Sequence, residues 1–222
     1  NSIKFRQPKQ KGSEFNLGFI GLSPKIKAPH LALNIFNQLK SIDSRFILHF
    51  KGKMPWEYDW LMARDDEKEY YEKFFIRIEK MRNQGDILFH PFGNDIENWF
   101  SNIGFILSTS DFEGSHQVVA EGMASGAIPV IRNWQGADLI YPPKYIFTST
   151  IEAVNLVTRW IKMPTYENEM HFVKNYSFKN FDQSFINPQY EELISELSDL
   201  KFGNKNLRQA NILLNQSGEK EL

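Results

Sequence analysis

Five short apolar runs punctuate the first 131 residues, and none keeps a strict alternation of polar and apolar positions: FNLGFIG at 15–21, RFILHF at 45–50, DILF at 86–89, GFILS at 104–108 and IPVI at 128–131. Strands that are apolar on both faces belong in a sheet covered on both sides. Between and after these runs lie stretches with apolar residues three and four apart, at 30–42, 67–84, 95–102, 115–125 and 150–162. That spacing is helical. A further short strand is expected at 145–147. Strand and helix in alternation imply βαβ units, so the predicted fold class is α/β: a Rossmann-like doubly wound parallel sheet with helices on both faces. Ligands of such sheets bind at the carboxyl ends of the strands, where the strand order reverses. The loops expected there cover 22–29, 90–95 and 109–117.

The domain layout follows from the same reading. Residues 1–14 are polar and basic and read as a linker or leading arm, residues 15–165 as the Rossmann-like domain, and residues 166–222 as a helical extension, with helices expected at 191–200 and 207–214. The chain starts without Met and without a signal-peptide pattern, and is expected to be cut from a longer protein.

Composition excludes several function classes. The net charge is −1, so no overall field favours nucleic acid. There is no cysteine, which removes disulfides, thiolate nucleophiles and Cys-based zinc sites, and fits a cytoplasmic setting. No apolar run approaches the roughly 20 residues that a membrane-spanning helix needs. Asp-x-Asp, G-x-G-x-x-G, P-loop and G-x-S-x-G patterns are all missing, and with them the divalent-metal donor site, the dinucleotide and ATP sites and the hydrolase elbow.

The segment from Ser108 to Arg132, STSDFEGSHQVVAEGMASGAIPVIR, carries the chemistry. A strand ends, a polar loop presents Glu113 and Gly114, and a helix starts near Ser115 or His116. The first-turn N–H groups at Ser115, His116 and Gln117 lack intrahelical partners, and Gly114 leaves room beside them, which suits a diphosphate. Glu121 lies further along the helix, and a carboxylate offers two acceptor oxygens to vicinal hydroxyls. Each residue also has a purely structural reading. Glu113 could serve the helix dipole, Ser115 could be an N-cap, His116 a packing residue and Phe92 core.

This segment resembles the E-x7-E motif of retaining glycosyltransferases with the GT-B fold, glycosyltransferase family 4 in particular. The likeness includes Gly114 after the first Glu, the small Ala124-Ser125-Gly126 that ends the helix, Pro129-Val130-Ile131, the preceding Trp99 to Ser108, and Gln135 to Ile140; it covers about residues 15 to 165. The resemblance implies a donor-binding, C-terminal half of a metal-independent glycosyltransferase. Its substrate would be a nucleoside-diphosphate sugar, a UDP-sugar by preference, with no other cofactor and no metal. Glu113 and Lys27 would be catalytic. Glu121 would meet the ribose; Gly114, Ser115, His116, Gln117, Lys25 and Gly21 would line the phosphates, and Phe92, in His90-Pro91-Phe92-Gly93, the base. The acceptor, a glycan or a lipid-linked one, would be held by an N-terminal domain outside this chain. Surface polysaccharide synthesis and peripheral membrane association of the full-length protein follow from the family alone.

One position departs from the family pattern. The first loop reads Gly21-Leu-Ser-Pro-Lys-Ile-Lys27, with Leu22 where the family carries a phosphate-binding Arg. This leaves two further readings: a non-catalytic sugar-nucleotide-binding or interaction module, and a nucleotide-sugar 2-epimerase on the same fold.

Overall fold

The computed structural model describes residues 2–114, 116–162 and 166–198. They form two compact units, Ser2–Phe178 and a second from Lys179 onward. The first unit contains six strands and eight helices in alternation: β1 (Asn16–Ile20), α1 (Pro29–Ile42), β2 (Ile47–Lys51), α2 (Asp59–Met62), α3 (Asp65–Asn83), β3 (Ile87–His90), α4 (Ile96–Ser101), β4 (Phe105–Ser108), α5 (Gln117–Ser125), β5 (Ile128–Arg132), α6 (Ala137–Ile140), β6 (Ile146–Phe147), α7 (Thr150–Lys162) and α8 (Tyr166–Phe181), whose last residues run into the second unit. That second unit includes a helix over residues 183–198. The expected helix at 191–200 therefore begins earlier, while residues 199–200 and the expected helix at 207–214 lie outside the described residues.

Every strand pairing is parallel, in the order β3-β2-β1-β4-β5-β6. The order reverses between β1 and β4, the switch point of a doubly wound sheet. All four residues of β4 are buried, as a strand covered on both faces requires. On one side Gly18 admits α4, because a Cβ there would come within 2.8 Å of both Trp99 and Ile103. Gly122 plays the same part in α5, where a Cβ would lie 2.7 Å from Ile106. Both helices sit tightly on the sheet for want of a side chain.

Local signals explain the helix ends. Pro29 opens α1, where a missing N–H costs nothing. Acids Asp65, Asp66 and Glu67 begin α3 and bases Lys80 and Arg82 end it, matching the helix dipole. Gly126, at φ +90°, terminates α5 in the left-handed conformation.

The first unit is larger than the sequence boundaries suggest. Over residues 2–14 the arm is docked: Phe5 is buried edge-on against Phe100 at 5.7 Å. Lys9 Nζ donates to the carbonyls of Phe100 (2.8 Å) and Ile103 and to Ser125 Oγ (3.1 Å), at the carboxyl ends of α4 and α5. Burial, and secondarily Lys174, push the Lys9 ammonium well below its usual range. At the other end, Ser177 Oγ donates to the Ala120 carbonyl at 2.7 Å, so α8 packs on α5. Among the described residues no helix is long and apolar enough to cross a membrane.

Candidate functional site

The loops after β1 and β4 meet at the switch point. Asp111 N–H donates to the Ile26 carbonyl at 2.9 Å, and Thr109 Oγ1 donates to the carbonyls of Lys27 (3.0 Å) and Ala28 (2.9 Å). These bonds present Lys27 and Glu113 to each other. Lys27 Nζ donates to Glu113 Oε1 at 2.6 Å, with side-chain exposures of 25% and 10%. Ser110 Oγ donates to the same oxygen at 2.6 Å. Burial alone would raise the Glu113 pKa, but the hydrogen bonds from Lys27 and Ser110 outweigh it and hold the carboxyl below its ordinary range.

His116 precedes α5 and is buried. Its Nδ1 shares a 2.7 Å hydrogen bond with Ser108 Oγ, its carbonyl accepts from Tyr141 OH at 3.1 Å, and Nδ1 lies 3.6 Å from Glu113 Oε1. Burial pushes its pKa down to about 4 against the pull of Glu113, so the ring is neutral at pH 7. His116 thus braces the loop that carries Glu113. Gln117, the first residue of α5, is exposed. Gly114 is exposed too, its φ is not positive, and a Cβ there would meet nothing within 4 Å. The fold therefore makes no demand for glycine at that position. Gly21 is different: its φ of +81° favours glycine, and its N–H donates to the Lys51 carbonyl at 3.0 Å. Ser115 lies outside the described residues.

Glu121 is the fifth residue of α5 and points into another space. It lines a cavity of about 280 Å³ with Ile20, Lys51, Gly52, Phe92 and Gly93. Phe92 is 73% exposed at its rim, not core. Glu121 is half-buried and has no hydrogen-bond or ion-pair partner among the described residues. Burial raises its pKa, with Lys4 opposing and Glu97 adding. Lys51, which the sequence reading passed over, is buried at 4% exposure. Its Nζ donates to the Pro91 carbonyl (3.1 Å) and Asp95 (2.7 Å), bracing the loop that carries Phe92. A lysine closing an otherwise apolar strand, RFILHFK, was its only signal.

Two first-loop residues fall elsewhere. Lys25 turns toward α3, with its Nζ on Asp66 (2.6 Å) and its backbone N–H on Glu67 (2.9 Å). Leu22 is 3% exposed, and its carbonyl accepts from Tyr71 OH at 2.9 Å. Its side chain belongs to the core and not to the cleft. Among the described residues no group of three or more His, Asp or Glu is placed to hold a metal ion.

No family model and no curated protein matches this sequence. Solved structures do. The complex of Anabaena Alr3699/HepE with UDP-glucose aligns at a TM-score of 0.65 and 18% identity, over 82% of this chain and 49% of that one. Staphylococcus aureus TarM, in complex with Fondaparinux, alpha-GlcNAc-glycerol and UDP, aligns at 0.64 and 15% identity, over 85% and 37%. The C-terminal domain of LpcC, a glycosyl transferase group 1 family protein of Francisella tularensis, aligns at 0.62 and 12% identity, over 86% and 97%. This chain thus spans half or less of the two longer proteins and nearly all of the isolated domain. Its neighbours are GT-B glycosyltransferases, and its fold is that of one Rossmann-like GT-B half.

Proposed function

We propose that this chain is the donor-binding half of a retaining glycosyltransferase that takes a nucleoside-diphosphate sugar without a metal ion. The observation that carries the reading is Glu121. A half-buried carboxylate is costly unless hydrogen-bond donors arrive; this one has no hydrogen-bond or ion-pair partner among the described residues, and it lines a cavity whose rim bears an exposed aromatic ring. A nucleoside matches both features: the base lies against Phe92 and the ribose hydroxyls donate to Glu121. The diphosphate then runs along the start of α5, past Gly114, to Lys27. The sugar meets Glu113. HepE and TarM, which share the fold, were solved with UDP or UDP-glucose bound, and this supports uridine as the base.

In the proposed reaction the bond from the anomeric carbon to the β-phosphate oxygen breaks and an acceptor hydroxyl bonds to that carbon. The hydroxyl proton leaves with the diphosphate. Charge grows on the departing phosphate, where Lys27 and the first N–H groups of α5 are placed to stabilise it; such preorganised donors typically give about 3 kcal/mol each. Glu113 orients the sugar hydroxyls. Transfer needs a second, acceptor-binding domain, so the 222-residue chain binds donor and turns over poorly. Leu22 lies in the core, so its position supplies no cation to the cleft, and Lys27 is the loop cation that faces Glu113.

The test is calorimetric titration with UDP, GDP and ADP, with and without Mg²⁺, repeated on Glu121→Ala and Lys27→Ala. Metal-independent binding of one nucleotide, weakened by both substitutions, is the expected result. Failure of all three nucleotides to bind would remove the reading.

A further inference from the structure

After β2 the chain makes a compact turn whose exposed residues the donor site does not use. Pro55 and the fully buried Leu61 anchor it at both ends. The Glu57 carboxylate accepts the Met54 N–H, closing the 3-10 turn Pro55–Glu57. Between the anchors Trp56 and Trp60 stand 54% and 58% exposed. The Trp56 ring rests on Phe75 at 5.0 Å and Tyr58 lies 6.1 Å from Trp60. Two of the chain's five tryptophans are thus held out to solvent on an ordered platform. Two exposed indoles this close in sequence are a candidate contact surface.

The surrounding chemistry selects the occupant. Residues 53–69 carry six acids and three bases, which disfavours nucleic acid, phosphorylated groups and anionic lipid. Exposed indoles adjacent in sequence to the acids Glu57 and Asp59 suit a pyranose ring. The apolar C–H face of the sugar stacks on the aromatic ring and its equatorial hydroxyls donate to the carboxylates.

A cavity lies close by in sequence, with a lining residue four positions after Trp60. Arg64, two residues past α2, lines a space of about 500 Å³ together with Lys25, Ile26, His30, Tyr70 and Asp111. That volume is usual for a small-molecule site. The cavity shares no lining residue with the one at Glu121. It adjoins the Lys27–Glu113 pair, because Ile26 precedes Lys27 and Asp111 is bonded to Ile26. Its polar groups are fixed: His30 Nδ1 and Tyr70 OH share a 2.7 Å hydrogen bond, and Arg132 pairs with Asp111.

We propose that this cavity and the aromatic turn form a subsite for the acceptor glycan, a neutral oligosaccharide. Its sugar rings lie on Trp56 and Trp60, and its terminal residue sits in the cavity beside Lys27 and Glu113. The proposal rests on reading that pair as the transfer centre, and it adds that part of acceptor recognition resides on the donor-binding half.

The experiment uses the full 222-residue chain. Maltotetraose, cellotetraose, chitotetraose and mannotetraose are titrated against tryptophan fluorescence, with saturation-transfer NMR to detect contact between sugar and indole protons. UDP is titrated on the same samples. The expected result is that at least one tetrasaccharide binds, that Trp60→Ala weakens it at least about tenfold, and that Trp60→Phe restores part of the loss. Arg64→Ala, at an exposed position, gives the same reading through the cavity should Trp60→Ala fail to fold. The proposal is overturned if no tetrasaccharide binds, if binding ignores both Trp60→Ala and Arg64→Ala, or if sedimentation shows the platform buried in a dimer that Trp60→Ala dissociates. UDP binding without glycan binding removes this subsite and leaves the donor site standing. Glycan binding without UDP binding supports the glycan surface and removes the donor site.

Discussion

Glu113 and Glu121 are eight positions apart and face two different spaces. Glu113 accepts hydrogen bonds from Lys27 and Ser110 at the meeting of the first and fourth strand loops. Glu121 lines the cavity rimmed by Phe92 and has no partner among the described residues. The first turn of α5 separates them. A ligand reaching both must be extended, with hydroxyls at each end and a middle that tolerates helix N–H groups.

The Glu121 carboxylate predicts opposite effects on stability and binding. Glu121→Gln removes a half-buried charge whose pKa is raised by burial. The folded state should gain slightly, by about 0.5 kcal/mol. UDP affinity should fall about tenfold, the value of about one charged hydrogen bond. The difference between UDP and its 2′,3′-dideoxy form should collapse in the variant. If that difference persists unchanged, Glu121 does not hold the ribose.

Lys27→Ala should separate phosphate from nucleoside. UDP affinity should drop at least about tenfold while uridine affinity stays level, measured by calorimetry. The variant also leaves Glu113, at 10% side-chain exposure, without its cation. A chemical-denaturation loss of about 1–2 kcal/mol is expected for a partly buried pair. Equal losses for UDP and uridine would place Lys27 outside the phosphate path.

Leu22→Arg, which would install the cation usual in the family, should not rescue anything. The side chain is 3% exposed in the core, so a guanidinium there is either buried unpaired or forces the loop open. A destabilisation of about 3 kcal/mol or more is expected by thermal or urea unfolding. Full stability together with tighter UDP binding would show that the loop can turn this position outward.

Acid should unfold the domain in steps set by its buried histidines. His49, stacked on His90 at 5.2 Å, is pushed down to about 4 by burial and then by His90. His116 is likewise pushed down to about 4. Below the ordinary value of 6.5 the unfolded chain takes up protons that these folded sites refuse, so stability falls as pH drops from about 6.5 toward about 4. The loss from His49 is on the order of 2–3 kcal/mol. Glu113, whose pKa is lowered, adds its own loss further into acid. Urea midpoints between about pH 7.5 and about pH 4.5 check this, and His49→Phe should flatten the profile. A level profile in the parent chain would mean that the histidines charge freely.

The sheet was legible because its strands are buried on both faces, so apolar runs such as GFILS mark them without any need for alternation. Helices with a broad apolar stripe, like α1 and α7, were equally plain. Helices α2 and α6 were not, since four residues cannot show a period. Glu113 and Lys27 were singled out by motif and spacing, and they are in contact with each other. What escaped was lysine used as an interior group. Lys9 holds the ends of two helices and Lys51 braces the loop of Phe92, but in sequence each is simply a charged residue beside polar or apolar neighbours. Lys25 is a different case: loop position suggested phosphate, and its Nζ donates to Asp66. Only the tertiary partner distinguishes these cases.

The Lys27–Glu113 pair has a consequence for selectivity. Each charge of the pair satisfies the other. An anion alone that captures Lys27 strands a nearly buried carboxylate, and a sugar alone that captures Glu113 strands the ammonium. Either visitor must overcome the attraction between the two residues and leaves one of them worse off. A molecule bearing both a phosphate and a hydroxylated ring replaces both contacts together. Under the proposed donor reading the pair therefore favours a ligand that carries both groups over inorganic phosphate or a free hexose.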